Sequence, residues 1–168
     1  MDVFIGPAVA SDAQDIVDYA NETGGETDFY SFGADGYPMT VVEQVKEIQD
    51  LERTKSIILV GRDSNTMKMV CWGTCHCQGL RSSHVYDLGI SVRKSHWSRG
   101  IGSLMMNMLI ETCRLKGVKK ISLTVTADNS KAIGLYERKG FVFEGRRVRH
   151  SRIGDEFKDI IDMALFLE

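Results

Sequence analysis

Hydrophobic residues along the chain recur at two spacings, every second residue in some segments and about every 3.6 residues in others. The shorter period is typical of strands with one buried face, and the longer one of amphipathic helices. Strand-like segments lie at residues 3–10, 55–62, 68–78, 84–92, 120–126, 141–151 and 157–167. Helix-like segments lie at residues 12–22, 41–51 and 101–116, and from residue 129 or 130 onwards. The repeated change of period predicts an α/β or α+β sandwich.

Capping residues and short connections refine these elements. Ser11 is predicted to cap the first helix, Thr40 and Glu43 form a capping-box sequence before the second, and Gly117 marks the end of the third. Short links predict an antiparallel meander between residues 55 and 92 and a final hairpin around residues 153–156. The strands at 84–92 and 120–126 are separated by a helix, so a right-handed crossover should make them parallel.

One face of the third helix is apolar. Its predicted members are Ile101, Leu104, Met105, Met108, Leu109 and Thr112. This spacing favours packing in the core over an exposed surface for an apolar partner.

Composition and charge exclude several classes of protein. The 168 residues are 43% hydrophobic and 26% charged, which suits a single globular domain over residues 1–168 with one sizeable core. A formal net charge of −2 does not indicate a nucleic-acid or membrane partner. No signal peptide and no apolar run of about 18–20 residues is readable, so a cytoplasmic location is expected. The four cysteines form no C-x-x-C pair, which predicts free thiols and no metal: Cys71, Cys75, Cys77 and Cys113.

The segment between the strand at 84–92 and the third helix is a candidate anion site. It consists of Trp97, Ser98, Arg99, Gly100, Ile101, Gly102 and Ser103. The two glycines let a ligand approach the backbone, and the first N–H groups of the following helix lack helical acceptors. Because the helix dipole is positive at this end, a diphosphate is the expected ligand. The segment lacks the Gly-Lys-Ser/Thr of a Walker loop and the third glycine of a dinucleotide fingerprint; a turn with no ligand is the alternative.

A second motif follows at residues 125–141, which read VTADNSKAIGLYERKGF. Together with LGISV at residues 88–92 and the glycine loop, it resembles the GNAT superfamily of acetyl-CoA-dependent N-acetyltransferases in the order and spacing of its parts, from about residue 57 to the C-terminus. The resemblance implies a mixed, mostly antiparallel central sheet of six to seven strands flanked by about four helices. One departure is Trp97, where the family usually has Gln or Arg.

The resemblance also implies where acetyl-CoA would bind. Its pantetheine arm would run between splayed strands and bond to the backbone of Ile90, Ser91 and Val92. The glycine loop from Trp97 to Ser103 would hold the diphosphate. Asn129 would either contact the cofactor or cap the next helix, and Tyr136 would lie beside the thioester sulfur.

Acetyl transfer to an amine needs three groups: a proton acceptor, an oxyanion donor and a proton donor for the thiolate. The resemblance assigns the proton donor to Tyr136, with a buried tyrosine bonded to Ala132 as the structural alternative. Backbone N–H groups near residues 90–92 are the expected oxyanion donors. Asp87, or a water that it orients, is the candidate base, with His84 second; regular strand geometry puts these two side chains on opposite faces.

The acceptor should be selected by the long loop at residues 21–38, which mixes acidic and aromatic side chains. Glu26, Asp28, Phe29 and Tyr30 are its candidate ligands for a cationic amine, through charge and cation–π contacts. A polyamine, an amino acid or a peptide N-terminus fits this composition; a solvated loop is the alternative. Hydrophobic strand edges make a homodimer an open expectation. A CoA-binding regulatory module and a ligand-free interaction domain are the competing functions.

Overall fold

The computed structural model describes residues 2–168, which form a seven-stranded sheet with helices on both faces. The strands are β1 (Val3–Pro7), β2 (Ile57–Asp63), β3 (Met69–Cys77), β4 (Val85–Val92), β5 (Lys120–Thr126), β6 (Val142–Ile153) and β7 (Glu156–Phe166). The sheet order is β1-β2-β3-β4-β5-β7-β6. The predicted α/β class and mostly antiparallel sheet are confirmed.

Pairing follows the predicted directions. All neighbouring strands are antiparallel except β4 and β5, which are parallel. The last two strands form the expected hairpin, but β7 rather than β6 pairs with β5. β6 therefore lies at the edge of the sheet, where most of its side chains are exposed.

Five α-helices accompany the sheet, one more than the sequence predicts. They are α1 (Ala13–Gly24), α2 (Val41–Gln49), α3 (Leu51–Thr54), α4 (Ile101–Leu115) and α5 (Ser130–Arg138). The extra helix arises because the second predicted helix is divided at Asp50. The capping box is confirmed: the Thr40 side chain accepts from the Glu43 N–H, and the Glu43 carboxylate accepts from the Thr40 N–H.

The predicted cap at Ser11 is wrong. Ser11 lies inside a short 3₁₀ turn, Ala10–Asp12, and α1 begins after Asp12. The Asp12 carboxylate accepts from the Val9 N–H at 2.8 Å, and it also pairs with the Arg62 guanidinium at 2.7 Å. The Asp12 carboxylate can accept the turn's hydrogen bond and also form an ion pair with the partly buried arginine, whereas the neutral hydroxyl of a serine could not form that ion pair.

The core lies on both faces of the sheet. Ile16 and Tyr19 of α1 pack against Ile58 and Val60 on one face. On the other face, α4 packs against β3 and β4. The approach of α4 to β3 requires Gly73, because a Cβ there would lie 2.8 Å from side-chain atoms of Met105 and Leu109. This close contact fixes the height of α4 above the sheet.

The buried face of α4 differs from the predicted one. Its fully or largely buried residues are Ile101, Met105, Met106, Leu109, Ile110 and Cys113. Leu104, Met108 and Thr112 are only partly buried, so the apolar stripe is rotated toward the 106–110–113 row. The helix shares one core cluster with the sheet and with residues of α5, and it therefore buries a wider arc than a single-faced helix does. The methionines at 105 and 106 belong to the core, as expected.

The four cysteines are free, as predicted. Three of them are buried, and Cys77 is partly exposed. No helix within residues 2–168 has the length and apolar character needed to span a membrane.

Candidate functional site

A cavity of about 1250 Å³ opens where β4 and β5 separate. The two strands pair only between residues 85–87 and 120–122, although β4 continues to Val92 and β5 to Thr126. Beyond Asp87 and Ser122 the strands diverge and leave a gap in the sheet. The cavity is lined from both faces of the sheet, by α4 and α5 on one side and by the loop between α1 and α2 on the other.

Unpaired backbone groups of β4 line this gap. The Gln78 N–H donates to the Val85 carbonyl, and the Arg93 N–H donates to the Val70 carbonyl. With the continuous β3–β4 register, this pattern turns the odd-numbered residues of β4 toward β3 and the even-numbered ones toward β5. Ile90 and Val92 therefore direct their N–H and C=O groups into the gap, and Leu88 adds its C=O group, because its N–H belongs to the last β4–β5 pair, Asp87 with Ser122.

Of the three residues predicted to bond to the pantetheine arm, 90–92, only two turn their backbone groups into the gap. Ile90 offers both backbone groups to the gap. The Val92 carbonyl already accepts from the Tyr30 hydroxyl at 2.9 Å and the Trp97 indole N–H at 2.6 Å, so only its N–H is free. Ser91 faces β3, and its hydroxyl donates to the Tyr19 hydroxyl at 3.2 Å. Leu88, which the sequence analysis left out, adds its carbonyl to the gap.

The glycine loop closes one end of the cavity at the start of α4. Gly100 has φ 79°, a left-handed conformation that a side chain would strain. The first helical bond of α4 runs from the Leu104 N–H to the Gly100 carbonyl, so the N–H groups of residues 101–103 have no acceptor within the helix. The loop therefore presents a set of donors at the positive end of the helix dipole.

Gly102 has a different role from Gly100. A Cβ at Gly102 would meet only Leu135 at 3.7 Å and Val92 at 3.8 Å, which are ordinary contacts. Its φ is not positive, so neither the backbone nor the packing of the protein requires glycine there. The space in front of Gly102 is part of the cavity, which leaves room for a ligand against the backbone.

Lys131 supplies a positive charge beside this loop. Its Nζ donates to the Ser98 hydroxyl at 2.8 Å and lies 5.5 Å from the centre of the Trp97 ring. Lys131 lines the cavity and has no carboxylate partner among residues 2–168. The sequence analysis missed this lysine, although its position two residues after Asn129 could have indicated it. Arg99, which was predicted to bind the cofactor, is exposed and does not line the cavity.

The side chain of Asn129 caps α5 with its oxygen and leaves its nitrogen available for binding a ligand. Its Oδ1 accepts from the Ala132 N–H at 3.2 Å, which makes it the N-cap of α5. Its Nδ2 makes no hydrogen bond within residues 2–168. Because the side chain lines the cavity, the amide nitrogen remains available to a ligand.

Tyr136 lies on α5 with its ring buried and 5.9 Å from the ring of Phe141. Its hydroxyl lines the cavity and makes no hydrogen bond within residues 2–168, so the alternative pairing with Ala132 is not seen. Burial, reinforced by the neighbouring Tyr30, raises the pKa of Tyr136 to about 12. The phenol is therefore protonated throughout the neutral range.

A row of aromatic rings lines the other side of the cavity. Ring centroids are 5.9 Å apart for Tyr30 and Phe32, 5.3 Å for Phe32 and Tyr37, and 5.5 Å for Tyr37 and Trp72. Only Tyr30 of these four was predicted as a ligand. Asp28 and Phe29 also line the cavity, as predicted.

Glu26 does not line the cavity. Its carboxylate accepts from the Lys94 N–H at 2.7 Å, which ties the loop to the segment after β4. With the Tyr30 bond to Val92, this contact holds the loop against the end of β4. Glu26 is therefore an anchor of the loop in the structure.

The floor of the cavity beside the gap is open at Gly89, which has no side chain and lies opposite Thr74 on β3. Asp87 and its cross-strand neighbour His76 also line the cavity. The Asp87 carboxylate accepts from Gln78 Nε2 at 2.9 Å. His84 precedes β4, is exposed and lies outside the cavity lining. The structure brings Asp87 to the site and leaves His84 away from it.

The β6–β7 hairpin contributes a basic wall that the sequence analysis missed. Arg147, His150 and Arg152 line the same cavity as Asp28 and the aromatic loop. Arg147 is held by Asp162. Arg152 bonds to the Gly154 carbonyl and to Asp155, a carboxylate whose side chain is fully exposed. The run of basic residues at 146–152 is visible in the sequence, but only the tertiary structure shows that some of them line the cavity.

Comparisons with known proteins agree with this arrangement. The model of the Acetyltransferase (GNAT) family matches residues 26–141. The L-amino acid N-acetyltransferase AaaT of Escherichia coli (strain K12) is 39% identical over 88 residues, which cover 52% of this chain and 54% of that protein. The matched region thus spans about half the length of this curated relative.

Solved structures match over nearly the whole chain. A GNAT-family acetyltransferase from Streptococcus pneumoniae has a TM-score of 0.92 at 28% identity, with 98% of this chain and 99% of that chain covered. The putative acetyltransferase yncA from Salmonella typhimurium, solved with its cofactor acetyl-CoA, has a TM-score of 0.86 at 15% identity, with 100% and 95% covered. At that identity the second similarity establishes the fold alone.

Proposed function

Because this chain belongs to the acetyltransferase (GNAT) family, we propose that it transfers an acetyl group from acetyl-CoA to a primary amine by direct attack in a ternary complex. One observation carries the proposal: a single cavity joins the glycine loop, the free backbone groups of β4 and the Tyr136 hydroxyl. These are the groups that a diphosphate, a pantetheine arm and a departing thiolate respectively require.

Acetyl-CoA would lie along the gap between β4 and β5. The N–H groups of residues 101–103 and the Lys131 ammonium would hold the diphosphate. The Ile90 carbonyl and the Val92 N–H would bond to the pantetheine arm, and Asn129 Nδ2 would add a side-chain donor. Trp97 would act indirectly, because its indole N–H fixes the end of β4.

The thioester would then lie near Ile90, whose N–H is the first one beyond the β4–β5 pairs and is free to stabilise the oxyanion. Tyr136 would donate a hydrogen bond to the thiolate as it leaves. A phenol with a pKa of about 12 is a weaker acid than a thiol, whose reference pKa is about 8.5. The proton that finally rests on CoA therefore comes from the nitrogen of the tetrahedral intermediate, relayed through the Tyr136 hydroxyl. A base on the acceptor side of the cavity would receive the other amine proton, and Asp87, or a water bound to it, is the candidate that the sequence analysis offers.

The acceptor would enter from the side of the aromatic loop. Asp28 and the aromatic rings suit an ammonium group, while Arg152 and His150 face them from the hairpin. Oppositely charged walls fit an amine that also carries a carboxylate. A free amino acid or a small peptide N-terminus is thus the proposed class, in agreement with the activity named for AaaT.

The test is CoA thiol release from acetyl-CoA with matched acceptors. L-amino acids should be used by the protein, whereas their carboxamides and polyamines should show a KM raised by about tenfold or more, because they lack the carboxylate that faces Arg152. Tyr136→Phe should lower kcat by about 10²-fold without changing acetyl-CoA binding. If amino acids and their carboxamides are used equally well, the protein does not recognise the substrate carboxylate. If kcat is unchanged in Tyr136→Phe, the proposed role of Tyr136 is wrong.

The regulatory CoA-binding module predicts a different result, namely acetyl-CoA binding with no thiol release for any amine. A ligand-free domain predicts no binding of acetyl-CoA.

We also propose that residues 1–168 form a single domain and that two copies of the chain form a homodimer. Exposed apolar side chains on the edge strand support the dimer: Val142, Phe143 and Val148.

A further inference from the structure

His76 stands beside the acceptor side of the cavity and has no part in the scheme above. It lies on β3 directly opposite Asp87 on β4, in a pair whose side chains share one face of the sheet. This is the face from which the acceptor enters, two residues from the open position at Gly89. Opposite residues on neighbouring strands have Cβ atoms about 4.5–5.5 Å apart, so His76 and Asp87 can act on the same bound group.

A hydrogen-bonded chain holds a carboxylate against His76. Glu47 Oε1 of α2 lies 3.9 Å from His76 Nε2, which is an ion-pair distance when the imidazole is protonated. The other oxygen, Glu47 Oε2, accepts from Gln44 Nε2 at 2.7 Å. Gln44 is completely buried, and its Oε1 accepts from the Tyr37 hydroxyl at 3.2 Å. Burial of a polar side chain costs free energy unless its polar atoms are hydrogen-bonded. Both polar atoms of the Gln44 side chain have partners, so this glutamine orients Glu47 and links it to the aromatic loop.

This geometry gives the two imidazole nitrogens different surroundings. Nε2 faces Glu47, and Nδ1 lies on the other edge of the ring. The charged groups around the ring are Glu47 from α2 and Asp87 from β4, with the Tyr37 phenol from the loop.

Other candidates for the same role are less suitable. Free carboxyl groups have reference pKa values of about 4, whereas imidazole is near 6.5, so an imidazole takes a proton from an ammonium group more readily. His150 lies 3.3 Å from the Arg147 guanidinium, which opposes a second positive charge. His96 lines the cavity beyond Val92, at the end of β4 away from Gly89.

We propose that His76 removes the first proton from the acceptor ammonium, that Asp87 orients that ammonium, and that Glu47 positions the imidazole. The role of His76 rests on the proposed acetyl transfer. The ammonium N–H bond breaks and its proton passes to His76 Nδ1, directly or through one water. The neutral amine then forms the N–C bond and the C–S bond breaks. The second amine proton travels through Tyr136 to the thiolate, and His76 returns its proton to solvent.

The test is the pH dependence of kcat/KM for thiol release in His76→Gln. At pH 7, with an alkylamine acceptor of pKa about 10, kcat/KM should fall by about 10²-fold or more. The deficit should shrink as pH rises toward the pKa of the amine, because hydroxide and bulk water then supply the neutral nucleophile. It should also be smaller for an acceptor whose α-amino group has a pKa near 8. His84→Gln, an exposed histidine outside the cavity, is the matched control and should behave as wild type.

Glu47→Gln separates positioning from folding. Loss of the carboxylate removes the group that faces Nε2, so kcat/KM should fall in Glu47→Gln while thermal stability is retained, and adding Glu47→Gln to His76→Gln should cause no further loss. A purely structural role would lower kcat/KM by the same factor with or without His76, and that result would overturn the proposal for Glu47.

Two outcomes overturn the role of His76. One is an unchanged pH profile in His76→Gln while Asp87→Asn abolishes the acidic limb, which would return the base to Asp87. The other is a rise in KM alone, which would make His76 a binding residue. If wild type releases no thiol with any amine, the proposed function fails together with this role; if wild type is active, only the role of His76 is in question.

Discussion

Single residues at this site are set by their surroundings more than by their chemical type. Burial keeps the Tyr136 phenol protonated, and two donors saturate the carbonyl of Val92. Asn129 divides its amide, with the oxygen capping a helix and the nitrogen left to the cavity. In each case the neighbouring groups decide which atoms remain for a ligand.

The raised pKa of Tyr136 predicts the alkaline side of the rate profile. A group that acts as a proton donor loses its function when pH rises through its pKa, and here that value is about 12. Wild-type kcat should therefore show no decline caused by Tyr136 between about pH 7 and about pH 10, where an exposed tyrosine would begin to ionise. Steady-state kinetics at saturating substrates checks this. A decline with a midpoint near 10 that is absent in Tyr136→Phe would contradict it.

Gly102→Ala tests the space in front of the glycine loop. We expect the free energy of unfolding to stay within about 0.5 kcal/mol of wild type, since the new methyl group meets only ordinary contacts. Acetyl-CoA affinity should fall by about tenfold or more because the Cβ enters the ligand space. Calorimetric titration measures the affinity. Gly134→Ala in α5, which is outside the cavity lining, is the matched control and should bind normally.

At the scale of elements, the loop between α1 and α2 is organised by a few fixed contacts. Glu26 and Tyr30 attach it to the end of β4, and Tyr37 attaches it to α2 through Gln44. Its aromatic rings then face the cavity in a continuous row. The loop is thus a positioned wall in the structure, with different residues for anchoring and for contact.

Substitution of the two acidic residues should separate these roles. Glu26→Ala should raise KM for every amine by a similar factor, about two- to fivefold, because the loss of one anchoring hydrogen bond of about 1 kcal/mol loosens the whole loop. Asp28→Ala should raise KM for cationic acceptors more than for neutral ones. Kinetics with a polyamine and with a hydroxylamine-type neutral nucleophile distinguishes the two. If both variants have the wild-type KM for both nucleophiles, neither residue contributes to acceptor binding.

At the scale of the whole molecule, the sheet consists of two halves with a narrow connection. Strands β1–β4 form one half and β5–β7–β6 the other, and they meet only at the three pairs between residues 85–87 and 120–122. Core packing by α4 and α5 bridges them on one face. A ligand in the gap would complete the hydrogen bonding that the diverging strands leave open.

Acetyl-CoA should therefore slow hydrogen exchange at the backbone amides of residues 90 and 92 more than elsewhere in β4. These N–H groups face the gap, whereas those of residues 87, 89 and 91 are already bonded to β3 and that of residue 88 to β5. Exchange measured by mass spectrometry or NMR with and without the ligand checks this. Free coenzyme A is a useful comparison, because it should protect the same amides with a smaller effect at Ile90, where the acetyl group is expected. Equal protection along both edges of β4 would contradict the placement.

The sequence by itself determined most elements, their pairing directions and the motifs of the cofactor side. Local signals suffice for these features: the capping box at Thr40, the alternation in 120–126 and the spacing from Asn129 to Tyr136 depend on neighbours within a few residues. The same local reasoning failed at Ser11, because the competing Asp12 is held by Arg62, fifty positions further along the chain. It also misjudged the face of α4, which depends on what packs around the helix.

Only the tertiary structure decided the acceptor side. Strand register places His76 opposite Asp87 and leaves His84 outside the cavity. The turn of the β6–β7 hairpin brings Arg152 to the cavity that Asp28 also lines, and the loop packing separates Glu26 from the residues that line the cavity. These relations join residues that are far apart in sequence, and no periodicity or short motif encodes them. The cofactor side could be read from the sequence because it is formed by consecutive backbone groups, whereas the acceptor side is formed by side chains that meet only after folding.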